Sequence, residues 1–434
     1  MNIPPSELKR IVIIGGGFAG INFIKTLQEN IYQVVMLDKH NYHTFQPLLY
    51  QVATGGLEAG SIAYPLRKLM QNKPNFFFRM ANVIEVQAAE QTVVTDIGHL
   101  TYDYLIIATG SKTNFFGNKD IERYAISMKS IPNALSIRSL IIENFEQALL
   151  TNDISEQKSL MNFVLVGAGP TGVEMAGALA EMKNAILPKD YPDLDISLMQ
   201  INLVQSGDKV LNTMSEKSSV ASEKFLINLG VNVMKNTRVL NYDGRFIQTN
   251  TGLEIDSQTV IWTAGVEAAP IMGLHANAYQ PKSNRLLVNT FCQVQGHENI
   301  FALGDVAAFM DKHFENGLPM VAQPAIQQGQ YLAHYFKNLF QNKTAKPFVY
   351  NDKGSMATIG RNKAVVDLNK KHFNGVFAWF LWLFVHLMAI VGFKNKAEIL
   401  INWIHNYIKF DRESRLIITP YKKRKFISFT SDEI

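Results

Sequence analysis

Two stretches of this chain carry residue types and spacings that can hold an anionic dinucleotide. The first is Gly15-Gly16-Gly17-Phe18-Ala19-Gly20, directly after the β-branched run Ile11-Val12-Ile13-Ile14 and followed by Ile21, Ile24 and Leu27 at helical spacing. A further apolar run, Val34-Val35-Met36-Leu37, ends in Asp38, eighteen residues past the last glycine. Each part has a physical reason. Gly15 makes the tight turn, Gly17 lets a pyrophosphate approach the backbone, and Gly20 lets helix and strand pack closely. The helix N-terminus offers bare N–H groups to the anion, and Asp38 can accept from both hydroxyls of an adenosine ribose. A lone Gly-x-Gly-x-x-Gly is a weak signal, but strand, loop, helix, strand and spaced acid together are specific.

The unit recurs about 152 residues later. Phe163-Val164-Leu165-Val166 leads into Gly167-Ala168-Gly169-Pro170-Thr171-Gly172-Val173-Glu174, then a helix, then Ile201-Asn202-Leu203-Val204 ending in Gln205. Pro170 stands where a helix has no use for an N–H. Two copies imply two dinucleotide sites. The second copy has Gln205 where an acid would bond the ribose of NADH. A glutamine still bonds a ribose but does not repel a 2′-phosphate; no arginine stands beside it, although Lys209 is near. NADH is favoured, and selectivity over NADPH is left open.

Other turns gather around these units. Tyr104-Leu105-Ile106-Ile107 runs into Ala108-Thr109-Gly110, a second close backbone approach, and Val260 to Thr263 runs into Ala264-Gly265, a lip for the second site. Asn299 to Leu303 ends in Gly304-Asp305: apolar strand, glycine, acid. Pro319 to Gln328 opens a helix that continues through Tyr331 and Phe336. Gln323 and Gln327 share one of its faces, a pattern that alone would read as a solvated surface.

At 434 residues the chain has room for two or three domains, and its composition is that of a folded globular protein. Met1 to Arg10 holds no apolar core of a secretory signal, so none is expected. A single cysteine, Cys292, forms no internal disulfide, fits a reducing compartment, and excludes flavoproteins that work through a cysteine pair. The net charge of +5 is concentrated at the end: Lys394 to Ile434 has nine Lys/Arg against five Asp/Glu, leaving 33 against 32 elsewhere. No broad basic face for nucleic acid is expected.

Pattern places the remaining elements. Ile62 to Met70 reads as a helix with Leu66, Leu69 and Met70 on one face; Phe76 to Val86 and Thr92 to Asp96 read as strands; Leu135 to Leu150 reads as an amphipathic helix. Asn41-Tyr42-His43-Thr44-Phe45-Gln46-Pro47-Leu48-Leu49-Tyr50-Gln51-Val52-Ala53 is too aromatic for a plain linker. Val376 to Val391 is apolar except for His386 and includes Trp379 and Trp382; as a helix it spans about 24 Å, short of a hydrocarbon core of roughly 30 Å. Leu400, Trp403, Ile404, Tyr407 and Ile408 then line one face of a helix whose other positions include Lys396, Asn402, His405, Asn406 and Lys409, with Lys422-Lys423-Arg424-Lys425 beyond. An in-plane membrane helix with a polybasic cluster is the reading. The plain alternative is a core or dimer-interface helix with a solubilising tail.

Taken together, the glycine loops Gly15–Gly20 and Gly167–Glu174, the Asn41–Ala53 loop, Ala264-Gly265, Gly304-Asp305, Ala322-Gln323-x-Ala325-x-Gln327 and the apolar-plus-basic C-terminus resemble the type II NADH dehydrogenases, single-subunit, non-proton-pumping NADH:quinone oxidoreductases. The match covers nearly the whole chain, and Gln205 is its departure. The resemblance implies an α/β fold with two Rossmann-like domains, the FAD domain interrupted by the NADH domain, plus a C-terminal amphipathic membrane-anchoring segment. The expected boundaries are 1–125 and 276–365 for FAD, 126–275 for NADH and 366–434 for the membrane segment. Non-covalent FAD would lie on Gly15, Gly16, Gly17, Phe18, Ala19, Gly20, Asp38, Lys39, Gln46, Pro47, Val83, Ala108, Thr109, Gly110, Asp305 and Ala322. NADH would lie on Gly167, Gly169, Thr171, Gly172, Gln205, Ala264 and Gly265. The N–H groups of Ala322 and Gln323 would face the flavin's pyrimidine edge, Gln323 and Gln327 would border a membrane quinone (menaquinone or ubiquinone), and Glu174 would point to the nicotinamide–flavin contact. Hydride would pass from NADH to FAD and two electrons to quinone. A peripheral position on the cytoplasmic face of the cell membrane and a homodimer are also implied. The competing readings are a soluble NAD(P)H reductase of a ferredoxin or rubredoxin, and a non-catalytic redox sensor on the same fold. Sulfide-oxidising relatives are excluded by the missing cysteine pair.

Overall fold

An apolar run with no polar face, such as Ile11–Ile14, is satisfied only as a strand covered on both sides. In the computed structural model, which describes residues 1–369, 371–409 and 414–418, that run is the centre of a five-stranded parallel sheet. Its order is Ile300–Ala302, Tyr104–Ile107, Arg10–Ile14, Gln33–Asp38, Phe76–Met80. The chain leaves the central strand to one side and returns on the other, so the order reverses at the carboxyl end of Arg10–Ile14. That is the switch point at which open α/β sheets bind ligands. This sheet belongs to the first of two units, formed by Met1–Thr44, Ala63–Lys112 and Val266–Asp352.

The second unit, Phe45–Ile62, Thr113–Gly265 and Lys353–Ile434, repeats the plan. Its parallel sheet runs Ile126–Ser127, Thr259–Trp262, Asn162–Val166, Gln200–Val204, Asn232–Met234, again with the glycine-loop strand at the centre. Each unit adds a three-stranded antiparallel sheet: Val83–Gln87, Thr92–Thr95 and Gly98–Thr101 in the first, Val239–Tyr242, Phe246–Thr249 and Glu254–Asp256 in the second. Val12, Val35, Leu105 and Ile300 head one core, and Val164, Val204, Val260 and Trp262 the other. Cys292 is fully buried in the first unit, and burial pushes its thiol pKa far up.

Two expected elements are corrected. Ile62–Met70 is not one helix but a 3-10 turn (Ala59–Ile62), a strand (Ala63–Pro65) paired with Tyr42–Thr44, and a single turn (Leu66–Leu69). Pro65 is the cause. It cannot sit inside a helix, and it drives Tyr64 into extended backbone. The expected strand Phe76–Val86 is two strands, Phe76–Met80 and Val83–Gln87, in different sheets.

The C-terminal part opens with an antiparallel sheet, Ser355–Gly360, Lys363–Leu368 and Lys371–Asn374, under the helix Pro170–Ala185. Two helices follow, Val376–Ala389 and Phe393–Lys409. The first buries Ala378 and Trp382 and exposes Phe377, Phe380, Phe384 and Met388; Ile390 and Val391 turn into the interior past its end. The second exposes Phe393, Leu400, Ile401, Ile404 and Ile408. Among the described residues no helix is long and apolar enough to cross a membrane, and Lys422–Lys425 lies outside the described residues.

The helix Pro170–Ala185 meets the sheet through Gly177, where a Cβ would lie 1.7 Å from the carbonyl oxygen of Ile359. Backbone cannot yield as a side chain can. Gly177→Val is therefore expected to destabilise the protein by about 3 kcal/mol, at the upper end for overpacking. Calorimetric unfolding of the purified variant checks this, and an unchanged Tm would refute the contact.

Candidate functional site

Some helices in this chain are closed at their start by a side chain. Ser130 caps Ile131–Leu150 by accepting from the N–H of Asn133, and Ser215 caps Glu216–Asn228 by accepting from Ser218. The three helices the sequence marks as site-forming, Phe18–Thr26, Pro170–Ala185 and Ala322–Phe340, have neither a side-chain cap nor an acid in the first turn. Over Gly17 and Gly169 a Cβ would meet no heavy atom within 4 Å. Unspent N–H donors and the positive end of each helix dipole thus face open space, which suits an anion.

In the first unit Gly15 has φ +111°, and a Cβ there would sit 2.3 Å from the carbonyl oxygen of Ala108. Its N–H donates to Leu37 at 2.8 Å, and the next N–H, of Gly16, donates to Asp38 Oδ2 at 2.6 Å. Asp38 Oδ1 accepts from the N–H of His40 at 2.7 Å. Each carboxylate oxygen keeps a lone pair for a ribose hydroxyl. Burial lowers the pKa of His43 to about 4, so its ring is neutral and Nδ1–H donates to the Gly16 carbonyl, 3.1 Å away. Asp305 accepts from Ser111 Oγ at 2.5 Å, and Gly304 N–H donates to Gln328 Oε1 at 2.7 Å. Thr109 ties its turn to Ala269, and a Cβ at the adjacent Gly110 would again meet open space. Ala19, Gly20 and Ala108 are buried in this cradle, Phe18 lies edge-on to His43, and Lys39 is exposed beside it. Val83 starts its strand against the first unit's core. Gln46 and Pro47 open a 3-10 turn that belongs to the second unit. An uncapped helix, an open glycine and an acid with free lone pairs are the donor set that a flavin dinucleotide fits.

Ala322 and Gln323 begin the third uncapped helix, in the first unit. Gln323 and Gln327 do share a helix face but are used differently. Gln323 Oε1 is buried without a partner among the described residues. Gln327 donates to the Asn351 carbonyl at 2.9 Å and accepts from the Asn351 N–H at 3.0 Å, so its amide braces the chain.

The second unit reproduces the two backbone N–H bonds of the first glycine loop. Gly167 N–H donates to Val204 at 2.8 Å, and Ala168 N–H donates to Gln205 Oε1 at 3.0 Å, the place that Asp38 fills for Gly16. Since the Gln205 carbonyl is spent on the loop, its Nε2 donors are left for a ribose or a phosphate. Lys209 is held by Glu216 at 3.0 Å. Thr171 is exposed in the first turn, Gly172 packs on the Gly167 carbonyl, and Ala264-Gly265 lie against Gly167 and Asn114.

Glu174 stands apart from these donors. It lines a cavity of about 130 Å³ in the second unit together with Tyr50, Gln51, Thr358, Trp382 and Trp403. Burial pushes its pKa up to about 8, against the opposing pull of the Thr358 N–H (3.4 Å) and the Trp382 indole. The protonated carboxyl is therefore the favoured form at neutral pH. His386, stacked on Trp382, is also neutral, its pKa lowered by burial to about 4. No local pattern places Tyr50, Gln51 or Trp403 at this cavity, because helical periodicity assigns Trp403 to the apolar face; nor does any single out Ser111 or Gln328. An acid with a higher pKa folded than unfolded keeps its proton where the unfolded chain has lost it. The contribution of Glu174 to stability is therefore full below pH 4.5, the unfolded value, and is lost as pH rises toward 8. Glu174→Gln is expected to remove that slope, about 1.4 kcal/mol per pH unit at most. Urea unfolding across this range checks it; parallel profiles for the two proteins would refute the assignment.

Comparison with known proteins agrees with this geometry. Residues 9–329 match the pyridine nucleotide-disulphide oxidoreductase model, and residues 353–412 match the NDH2 C-terminal domain model. The type II NADH:quinone oxidoreductase Ndh of Mycobacterium tuberculosis is 35% identical over 429 residues, covering 96% of this chain and 91% of its own. The type II NADH:quinone oxidoreductase of Haemophilus influenzae is 29% identical, covering 93% and 99%. The fold matches that of NDH2 from Plasmodium falciparum in complex with NADH at TM-score 0.87, with 23% identity, over 95% of this chain and all of the other. This chain belongs to the type II NADH:quinone oxidoreductase family.

Proposed function

We propose that this protein is a respiratory, non-proton-pumping NADH:quinone oxidoreductase, with FAD in the first glycine-loop crevice and NADH in the second. The observation that carries the reading is the pair of uncapped glycine-loop helices at two switch points, each anchored to the side chain that ends the next strand. FAD, when bound, supplies the two-electron chemistry between a hydride donor and a quinone. The protein's own groups bind and orient. The N–H groups of Gly17, Phe18 and Ala19 receive a pyrophosphate, Asp38 the adenosine ribose, and Asp305 the hydroxyls of the flavin chain. The N–H groups of Ala322 and Gln323 serve the flavin's pyrimidine edge, where electrostatic preorganisation counts most. Gln323 borders the quinone, with Gln327 holding that helix start in place. Glu174, its pKa raised by burial, lines the cavity beside Tyr50 and Trp382. The exposed apolar faces of Val376–Ala389 and Phe393–Lys409, with Lys394 and Lys409, support peripheral attachment to an anionic bilayer on the cytoplasmic side. A homodimer belongs to the proposal on family resemblance alone. A soluble reductase of a small electron-transfer protein would leave those apolar faces unexplained.

The test is anaerobic rapid mixing of the FAD-loaded protein. NADH is expected to bleach the flavin band and a short-chain quinone to restore it; bleaching without restoration would point to a protein acceptor instead. Gln205→Glu is expected to lower kcat/KM for NADPH relative to NADH by at least about tenfold, since a carboxylate repels the 2′-phosphate. An unchanged ratio would mean Gln205 does not face the ribose. Replacing Phe377, Phe380 and Phe384 together with serine is expected to abolish co-flotation with phosphatidylglycerol vesicles while leaving NADH oxidation with a soluble quinone in place.

A further inference from the structure

The helix Phe393–Lys409 is amphipathic in reverse. Its outward row, Phe393, Leu400, Ile401, Ile404 and Ile408, is apolar, and its inward row carries hydrogen-bond donors. Ile399 is its one fully buried residue. Asn395 Nδ2 donates to the carbonyls of Gly60 (3.2 Å) and Ser61 (2.8 Å), Trp403 Nε1 donates to Gln51 Oε1 (2.8 Å), and Asn406 Nδ2 donates to the carbonyl of Gly56 (3.0 Å). At spacings of eight and three residues these three side chains share one face. All four bonds end on the segment Gln51–Ser61.

That segment passes the restraint on. Gln51 Nε2 donates to the Tyr50 hydroxyl oxygen at 2.8 Å, so the phenol accepts there and its hydrogen must point elsewhere. Tyr50, Gln51, Trp403 and Asn406 all line the Glu174 cavity. Trp382 and Trp403, with ring centroids 6.0 Å apart, and Trp379 and Tyr407, at 5.5 Å, join the inner faces of the two C-terminal helices. Both outer faces therefore turn away from the cavity. One buried isoleucine is a small anchor for a 17-residue helix, and the area that would hold it in place is on the exposed side.

We propose that this helix is a strap: seated by a lipid surface on its outer face, it fixes Gln51–Ser61 through its inner donors and, by way of Trp403 and Gln51, orients the Tyr50 hydroxyl in the Glu174 cavity. Trp403 and Gln51 are positioning residues. The proposal rests on the membrane attachment read above, with an anionic bilayer as the occupant. Lipid engages both outer faces together only when the helix is seated, so attachment and cavity geometry are one equilibrium.

Amide hydrogen exchange on the full-length, FAD-loaded protein tests this, with and without phosphatidylglycerol vesicles. The reporters are Gly56 and Leu57, whose N–H groups both bond the Gln51 carbonyl, at 2.7 and 3.2 Å. Vesicles are expected to slow their exchange by about fivefold or more, the equivalent of one added hydrogen bond. Trp403→Phe, which keeps an aromatic ring of smaller size and loses the donor, and Asn406→Ala are each expected to float with the vesicles yet lose most of that slowing. Flotation with unchanged exchange at Gly56 and Leu57 would overturn the coupling and leave the attachment standing. Failure to float would overturn the attachment and the strap with it. Full slowing in both variants would overturn the inner donors as the link.

Discussion

A helix whose first turn is neither capped nor acidic keeps its N–H donors free for an outside anion, and the three helices that follow this chain's marked turns all start that way. Their exposure is possible because other bonds fix the loops in front of them. The second N–H of each glycine loop is tied to the side chain that ends the neighbouring strand, Gly16 to Asp38 and Ala168 to Gln205. The first N–H is tied to that strand's last carbonyls. Each loop is therefore rigid before any ligand arrives, and its N–H groups need not reorganise on binding. The remaining architecture serves this arrangement: sheets buried on both faces, glycines where backbones touch, and acids kept out of the first turns.

The sequence made the two dinucleotide units legible because their signals are local. A β-branched run, a glycine spacing and a strand-end polar residue all lie within forty residues. Asp38 and Gln205 were found this way, and the structure adds that each reaches back to its own loop. Ile62–Met70 was misread because apolar spacing suggests a helix, whereas Pro65 dictates a strand followed by a single turn. Trp403 was assigned to the apolar face because periodicity counts an indole as hydrophobic and is blind to its N–H. The cavity around Glu174 was out of reach, since it joins residues more than three hundred positions apart in sequence. Gln327 shows the same limit. Its helix face was evident, but its clamp on Asn351 depends on a chain crossing that no local pattern records.

The two acids of the repeat illustrate how environment divides labour. Asp38 ends its strand half-buried and accepts from the N–H groups of Gly16 and His40. Glu174 is enclosed by aromatic rings, and burial outweighs the donors beside it. The same functional group is thus placed in two different surroundings, one at a strand end beside backbone N–H groups and one against aromatic rings.

Cys292 has a bearing on survival under oxidative attack. Its thiol is fully buried and strongly disfavours ionisation, so it presents no thiolate. Peroxide, nitrosating agents and alkylating reagents, which silence dithiol flavoenzymes by consuming their nucleophilic sulfur, find no cysteine thiolate to attack here. An electron path without a cysteine pair has no disulfide step for the surrounding glutathione poise to set.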